Sequence, residues 1–154
     1  MVYTQPPAMT HDEIESHLKA TKVGRFCSLN KDGTIHAVPV WYNYDNGQLI
    51  ILTPATSRKA KNAKRNPNVT LLVDASEVGV WPKGVIVYGK AELSETTVEE
   101  IASVWEKYAP KERTEKAARG LSNLTKWIKM TISPNRIVSF DYTRDEEYKS
   151  AAGE

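Results

Sequence analysis

Between Val23 and Thr53, three runs rich in β-branched and aromatic residues are separated by only two short turn signals. Val23 to Asn30 reads as a strand, and Lys31-Asp32-Gly33 as the turn that ends it. Thr34 to Tyr44 reads as a second strand. Asp45-Asn46-Gly47 follows, a hairpin signal because Asn and Gly tolerate the positive φ that tight hairpins require. Gln48 to Thr53 completes the set. Connections this short join antiparallel strands, so the spacing predicts a three-stranded meander.

The flanking segments add short helices and more strands. Residues 1–9 carry Pro6 and Pro7 and read as a loose lead-in. Thr10 opens a helix, with Glu13 at the capping-box position and Ile14 and Leu18 forming an apolar stripe. Ser57 to Arg65 reads as a polar helix stopped by Asn66-Pro67, because the residue before proline avoids the helical region. Asn68 to Asp74 reads as a strand with a nearly continuous apolar centre, and Gly84 to Leu93 as another. A helix is expected from Thr96, with Glu99 as its capping-box partner, to about Tyr108. A second is expected over Glu112 to Asn123. Trp127 to Ser133 and Arg136 to Tyr142 read as two last strands separated by Pro134-Asn135. The charged tail from Thr143 is expected to fray.

About seven strands and three or four helices result, without strand–helix–strand alternation. That excludes a doubly wound parallel sheet. It favours a mainly β fold, an antiparallel barrel with helices packed outside. No repeat or linker divides the chain, so residues 1–154 are expected to form one domain with its core over about 10–142.

Composition narrows the function classes. The formal net charge of +2 is too small to attract a polyanion to the molecule as a whole, so any basic site must be local. One cysteine, Cys27, rules out an internal disulfide and a multi-cysteine zinc site. His11, His17 and His36 lack a metal-ligand spacing, so no metal site is expected, although His36 in its strand could serve as a haem ligand. No apolar run reaches the roughly 20 residues of a membrane span. Met1 to Thr10 lacks a basic segment followed by an apolar one, so a cytoplasmic location is expected.

The segment from Thr53 to Pro67 carries the chemistry. A strand ends, a hydroxyl-bearing loop follows, and a helix begins with Arg58 and Lys59 in its first turn. Cations are the wrong charge there, because the free N–H groups of a helix N-terminus already carry partial positive charge. A phosphate would resolve the conflict, held by the N–H groups, by Thr56 and Ser57, and by the two cations. Lys59 and Asn62 lie three apart, on one helix face. Two other readings stay open: a solvated basic helix, or a nucleic-acid contact, since five cations fall within residues 58–65 with no acid between them. The modest overall charge and the lack of a nucleic-acid motif disfavour the last.

The series Val23-Gly24-Arg25-Phe26-Cys27-Ser28-Leu29, then Asp32-Gly33, then Val38-Pro39-Val40-Trp41-Tyr42 resembles the opening hairpin of the pyridoxamine-phosphate-oxidase-like split-barrel superfamily. Thr53, Ser57-Arg58-Lys59, Asn62, Asn66-Pro67 and Val69 continue the resemblance. So do Lys83-Gly84-Val85 and Gly89-Lys90-Ala91-Glu92. It spans roughly residues 10–142. The resemblance implies a split β-barrel homodimer with two cofactor sites at the subunit interface. It implies a phosphate at Ser57, Arg58 and Lys59, with Asn62 on the same helix face, and a ring system along Val38, Pro39, Val40, Trp41 and Thr53. Trp81 and Lys83 would close the pocket from the neighbouring subunit. Branches of the superfamily bind FMN, the deazaflavin coenzyme F420, or haem.

The implied activity is oxidation or reduction of a small substrate, the cofactor carrying hydride or electrons. FMN is the first expectation, F420 the alternative, and a non-catalytic flavin or haem carrier a third reading. No dedicated catalytic acid or base stands out. The strand holding Pro39 is expected at an edge or a break in the ladder, since proline lacks the N–H. Trp105 and Tyr108, three apart, read as packing, and Trp127, Ile128, Met130 and Ile132 as barrel filling or dimer seam. The chain also departs from the true vitamin-converting oxidases. They end in an arginine- and tryptophan-bearing segment that grips the substrate phosphate, and no equivalent is present here.

Overall fold

A computed structural model describes residues 3, 5–20 and 22–154. The chain runs α1 (His11–Lys19), β1 (Gly24–Leu29), β2 (Ile35–Val40), β3 (Asn43–Asp45), β4 (Gln48–Pro54), α2 (Arg58–Arg65), β5 (Asn68–Asp74), β6 (Lys83–Glu95), α3 (Val98–Trp105), α4 (Lys111–Leu124), β7 (Trp127–Asp141) and α5 (Glu146–Ala151). The seven strands form one sheet in the order β2-β1-β5-β6-β7-β4-β3. Every pairing is antiparallel.

The expected meander is a different object. β2 pairs only with β1, and β3 only with β4, so the two hairpins sit at opposite edges of the sheet. Yet β2 ends at Val40 and β3 begins at Asn43. Three peptide steps reach about 11 Å at most, so the two edges must come close together. The sheet therefore rolls into a barrel whose seam is crossed by Trp41 and Tyr42 instead of by a ladder. This is the antiparallel split barrel. The break follows Pro39 by two residues, on an edge strand as its missing N–H requires.

Local signals set most element ends. Thr10 and Glu13 form the capping box of α1, each side chain bonding the other's backbone N–H. At α3 the box is shifted by one residue from the expected Thr96 and Glu99. Thr97 is the N-cap and Glu100 its partner, and Thr96 adds a hydroxyl bond to the same carboxylate. Asn46 and Gly47 both take positive φ, 49° and 73°, as a two-residue hairpin turn demands.

Two corrections concern the C-terminal third. The two last strands are one, because Pro134 is absorbed by a bulge. Tyr88 pairs with Arg136 and Gly89 with Pro134, which leaves Asn135 as the extra residue. The tail beyond β7 is also folded. After a 3-10 turn over Tyr142–Arg144, Asp145 caps α5, and Tyr148 packs against Tyr3, Trp81 and Tyr142. The lead-in is tied down as well: the Met9 N–H donates to Ser139 Oγ and the Asp141 N–H to the Pro7 carbonyl.

The barrel interior is filled by alternate residues, among them Phe26, Leu49, Ile51, Leu71, Val73, Val85, Val87, Met130 and Ile132, with Tyr42 and Leu18 closing one end. β4 is covered on both faces. Leu49 and Ile51 point into the barrel. Ile50 and Leu52 meet a second core formed with Ile101, Ala102, Val104 and Ala118 of α3 and α4. That is why β4 reads as a continuous apolar run.

The bulge makes a prediction. A Cβ on Gly89 would stand 2.6 Å from the Ser133 carbonyl oxygen and 2.9 Å from Ile132 Cγ2. Gly89→Ala is expected to cost about 1–3 kcal/mol through forced backbone shifts. Urea unfolding should show an earlier midpoint with unchanged slope, and an unmoved midpoint contradicts this reading of the bulge.

Candidate functional site

The seam of the barrel, the end of β4 and the start of α2 enclose a cleft of about 200 Å³. Pro39, Val40, Trp41, Thr53, Pro54 and Lys59 line it, together with Trp105 and Trp127. Each side chain is placed by its element. Val40 is the last residue of β2 and Trp41 the first residue released from the ladder. Thr53 is fully buried on β4, and its Oγ1 lies 3.0 Å from Ser57 Oγ.

Ser57 is the N-cap of α2, and its hydroxyl accepts the Ala60 N–H. One of the free N–H groups of the first turn is satisfied in this way. Those of Arg58 and Lys59 keep no acceptor among the described residues. No acid lies in this turn. Lys59 is half-buried, has no hydrogen bond or ion pair among the described residues, and burial pushes its ammonium below the ordinary lysine range. Arg58 is exposed and reaches toward the β1–β2 turn. There Asp32 is held below the usual carboxylate range, first by hydrogen bonds from Thr34 and to a lesser degree by Arg58.

Asn62 has a different setting. It is buried, and its amide donates to Ser28 Oγ at 3.1 Å and to Asn30 Oδ1 at 3.0 Å. Its carbonyl oxygen accepts from Arg65, which also donates to the Leu29 carbonyl. Both side chains tie α2 to the end of β1 and so fix where the helix N-terminus points.

The sequence-predicted residues are thus partly brought together. Pro39, Val40, Trp41, Thr53 and Lys59 share the cleft; Ser57 bonds Thr53 but, like Arg58, is not among its lining residues. Val38 faces inward and packs on the barrel core. Trp81 and Lys83 lie elsewhere within the chain. Trp81 donates to Glu154 and packs on Tyr148, whereas Lys83 lines another cavity with Met9, His17, Lys22 and Asp141. His36 is not part of the cleft, and no cluster of metal-ligating side chains occurs among the described residues. A larger groove, about 890 Å³, lies on the other face of α2, between Lys61 and Lys64 and the end of β6. Its lysines share the lining with Glu92 and Glu95, and Lys126 is paired with Glu95, whereas the smaller cleft holds Lys59 with no carboxylate in its lining; we therefore take the smaller cleft as the site.

Trp105 and Trp127, read from the sequence as packing and as barrel filling or dimer seam, also line the cleft. Tyr108 belongs with them, its ring stacked on Trp41 at 4.9 Å and 1° between planes. Its hydroxyl accepts the Tyr42 N–H at 3.1 Å and lies 2.8 Å from the carbonyl oxygens of Tyr42 and Lys22, one of which takes its proton. The α3–α4 hairpin carrying Trp105 and Tyr108 thus clasps the barrel seam.

Residues 10–133 match the family model described as pyridoxamine 5'-phosphate oxidase. No functionally curated protein matches the chain. Among solved structures, a conserved hypothetical protein from Mycobacterium tuberculosis is similar at 27% identity and a TM-score of 0.72, over 90% of each chain. A FAD-binding protein from Mesorhizobium loti shares 20% identity with a TM-score of 0.61, over 86% of this chain and 93% of its own. An F420 reductase shares 17% identity with a TM-score of 0.63, over 80% of this chain and 94% of its own. The last two show a common fold.

The isolation of Lys59 has a measurable consequence. Its ammonium is desolvated in the folded state, and this destabilises the ligand-free protein at neutral pH. The penalty is relieved only as pH climbs past the lowered folded pKa toward the ordinary lysine value of about 10.4. Lys59→Met is expected to raise the Tm of the ligand-free protein at pH 7 and to narrow its advantage in alkali. A lower Tm at pH 7 contradicts the absence of a partner.

Proposed function

The chain belongs to the pyridoxamine 5'-phosphate oxidase family, and from that premise we propose that it is a flavin-binding oxidoreductase whose cofactor lies in the cleft between β2, β4 and α2. The observation that carries this reading is the pairing of two unlike sets of groups at one cleft. One is a half-buried cation, Lys59, without a partner among the described residues, at a helix start whose first N–H groups are free. The other is a set of aromatic and apolar side chains in the same lining. FMN has the matching halves, a phosphate and a planar ring, and the residues present fit it.

In this reading Arg58, Lys59 and the first-turn N–H groups bind the phosphate, and Ser57 keeps those groups aligned by capping the helix. Pro39, Val40 and Trp41 border the ring, where the break in the ladder leaves backbone groups free to bond its edge. Bound there, a flavin would supply hydride or electron transfer to a small substrate, with the protein positioning it and excluding water. Vitamin phosphate oxidation is not proposed. Arg144, the one arginine beyond β7, is engaged by Glu13 and Asp141.

The protein is further proposed to act as a homodimer. A cleft of about 200 Å³ is smaller than the roughly 300–1,000 Å³ of typical ligand pockets, so another wall is needed. A second copy would supply it, and Trp81 and Lys83 remain the candidates from that copy. The outer sheet face offers a seam. Leu29, Ile35 and Tyr88 line one exposed depression, and Leu72, Ile86 and Val138 form the neighbouring cross-strand row. Sedimentation equilibrium should return twice the chain mass, and Tyr88→Glu should shift it toward the monomer. A monomer at micromolar concentration removes the shared site.

One observation favours coenzyme F420 as the second reading. Its longer acidic tail would need extra cations, and Lys61 and Lys64 line the large groove beside α2, where Lys126 is already paired with Glu95. Arg65, by contrast, is committed to Leu29 and Asn62.

The test is equilibrium titration with FMN and with F420 of the native protein and of Arg58→Ala/Lys59→Ala. Each lost charge-assisted bond is worth about 1.5–3 kcal/mol, so FMN affinity should fall at least about a hundred-fold in the double variant. Undiminished affinity means that the phosphate lies elsewhere. Uptake of F420 alone moves the protein to the second reading.

A further inference from the structure

Apart from the cleft, α1, the start of β6 and the end of β7 border a cavity of about 450 Å³. This volume lies within the roughly 300–1,000 Å³ of ligand pockets. None of its lining residues lines the cleft. Its wall holds a polar ring, His17, that is only 8% exposed. The ring Nε2 lies 2.8 Å from the Val73 carbonyl oxygen, which can only accept, so Nε2 carries the proton. Nδ1 is thereby left as an acceptor. It has no partner among the described residues, yet it is not sealed from solvent, so it opens to the cavity.

Three donors stand free beside it. Lys22 and Lys83 are half-buried, and neither ammonium has a hydrogen bond or ion pair among the described residues. The Ser16 hydroxyl is likewise unbonded there. Two of the three acids in the lining are engaged. Both Glu13 oxygens accept from Arg144, and one also from the Thr10 N–H. Both Asp141 oxygens are taken as well, one by Arg144 and the other by Thr143. Asp12 is the third acid, and it is exposed. Burial holds His17 below the ordinary histidine range. The Val73 bond and Asp74 oppose that shift, and the charges of Lys22 and Lys83 add to it. An anion between the two lysines would cancel their effect, and His17 stands in the last turn of α1, where a cation is favoured.

We propose that this cavity binds the oxyanion group, phosphate or carboxylate, of a small molecule between Lys22, Lys83 and His17, and that His17 takes up a proton from solvent as the anion enters. The charged ring then donates from both nitrogens, Nε2 to Val73 and Nδ1 to the anion, and no bond of the protein has to break. The inference does not rest on the flavin reading. Because Lys83 is also the candidate for closing a partner's cleft, the variants are made at Lys22 and His17.

The experiment follows the His17 ring by nitrogen–proton correlation NMR while the ligand-free protein is titrated, at constant ionic strength, with sulfate as a tetrahedral stand-in for phosphate and with acetate. The neutral Nε2–H form is expected at pH 7 without anion, and the charged form at saturation with the tighter of the two, which names the class of group. Affinity should be at least about three-fold higher at pH 6 than at pH 8. Lys22→Met should weaken it about ten-fold. His17→Gln, which keeps a donor for Val73, should bind with no pH dependence over this range. If it fails to fold, the native pH profile and Lys22→Met decide. A ring that stays neutral at saturating anion overturns the inference, as does affinity that is equal at the two pH values or unchanged in Lys22→Met. Arg58→Ala/Lys59→Ala, titrated in parallel, separates this cavity from the cleft. A His17 response lost in that variant places the anion in the cleft and overturns the inference. A His17 response in native protein that takes up no FMN supports the cavity and removes the flavin reading alone.

Discussion

Two residues hold this architecture closed. Trp41 and Tyr42 bridge the opposite edges of the sheet, so this short link forces the sheet to close on itself. Tyr42 is fully buried, and its hydroxyl donates to the Leu18 carbonyl, which anchors the link to α1. Its backbone N–H, released from the ladder, donates to the Tyr108 hydroxyl, which in turn lies 2.8 Å from the Tyr42 and Lys22 carbonyl oxygens and donates to one of them. Buried backbone groups without partners cost about 1–3 kcal/mol each, so the seam is stable only because α3–α4 supplies that hydroxyl. The helical hairpin is therefore part of the barrel's closure, and it brings Trp105 to the cleft by the same contact.

The site carries an unfavourable local arrangement that the fold as a whole sustains. Arg58 and Lys59 stand at the helix end where cations are disfavoured, and Lys59 is half-buried without an anion among the described residues. The surrounding bonds keep it there. Ser57 caps the helix, Thr53 holds Ser57, and Asn62 and Arg65 lock the helix to β1. A ligand anion would relieve the conflict, so ligand binding and stability draw on the same groups. The larger groove shows no such conflict, since its lysines share the lining with Glu92 and Glu95.

Much of the local structure was legible in the sequence. Asn46-Gly47 fixed a turn because φ there must be positive, and Thr10 with Glu13 fixed a helix start by reciprocal bonding. The order of strands around the barrel was less accessible. The run from Thr34 to Tyr44 reads as one strand because its side chains keep their β character across the break, and only closure of the barrel reveals that Trp41 and Tyr42 leave the ladder. Pro134 misled for the converse reason: proline interrupts a flat ladder but fits a bulge, and the bulge depends on Gly89 of another strand. The tail looked solvated by composition, yet Trp81 and Tyr142 give Tyr148 a surface to cover. Within the site, the hydroxyl–cation end was readable because it is local. Trp105 and Trp127 were not, because which strand each faces is decided by the packing of α3 and α4 on β4.

The most direct test of the central claim is a crystal structure of the protein grown with saturating FMN. The account predicts the phosphate within hydrogen-bond distance of the Arg58 and Lys59 N–H groups and of the Lys59 ammonium. The ring should lie along Val40 and Trp41, with a second copy closing the opposite side. Density for the flavin in the large groove beside α2, or two copies packed so that the cleft faces solvent, contradicts it.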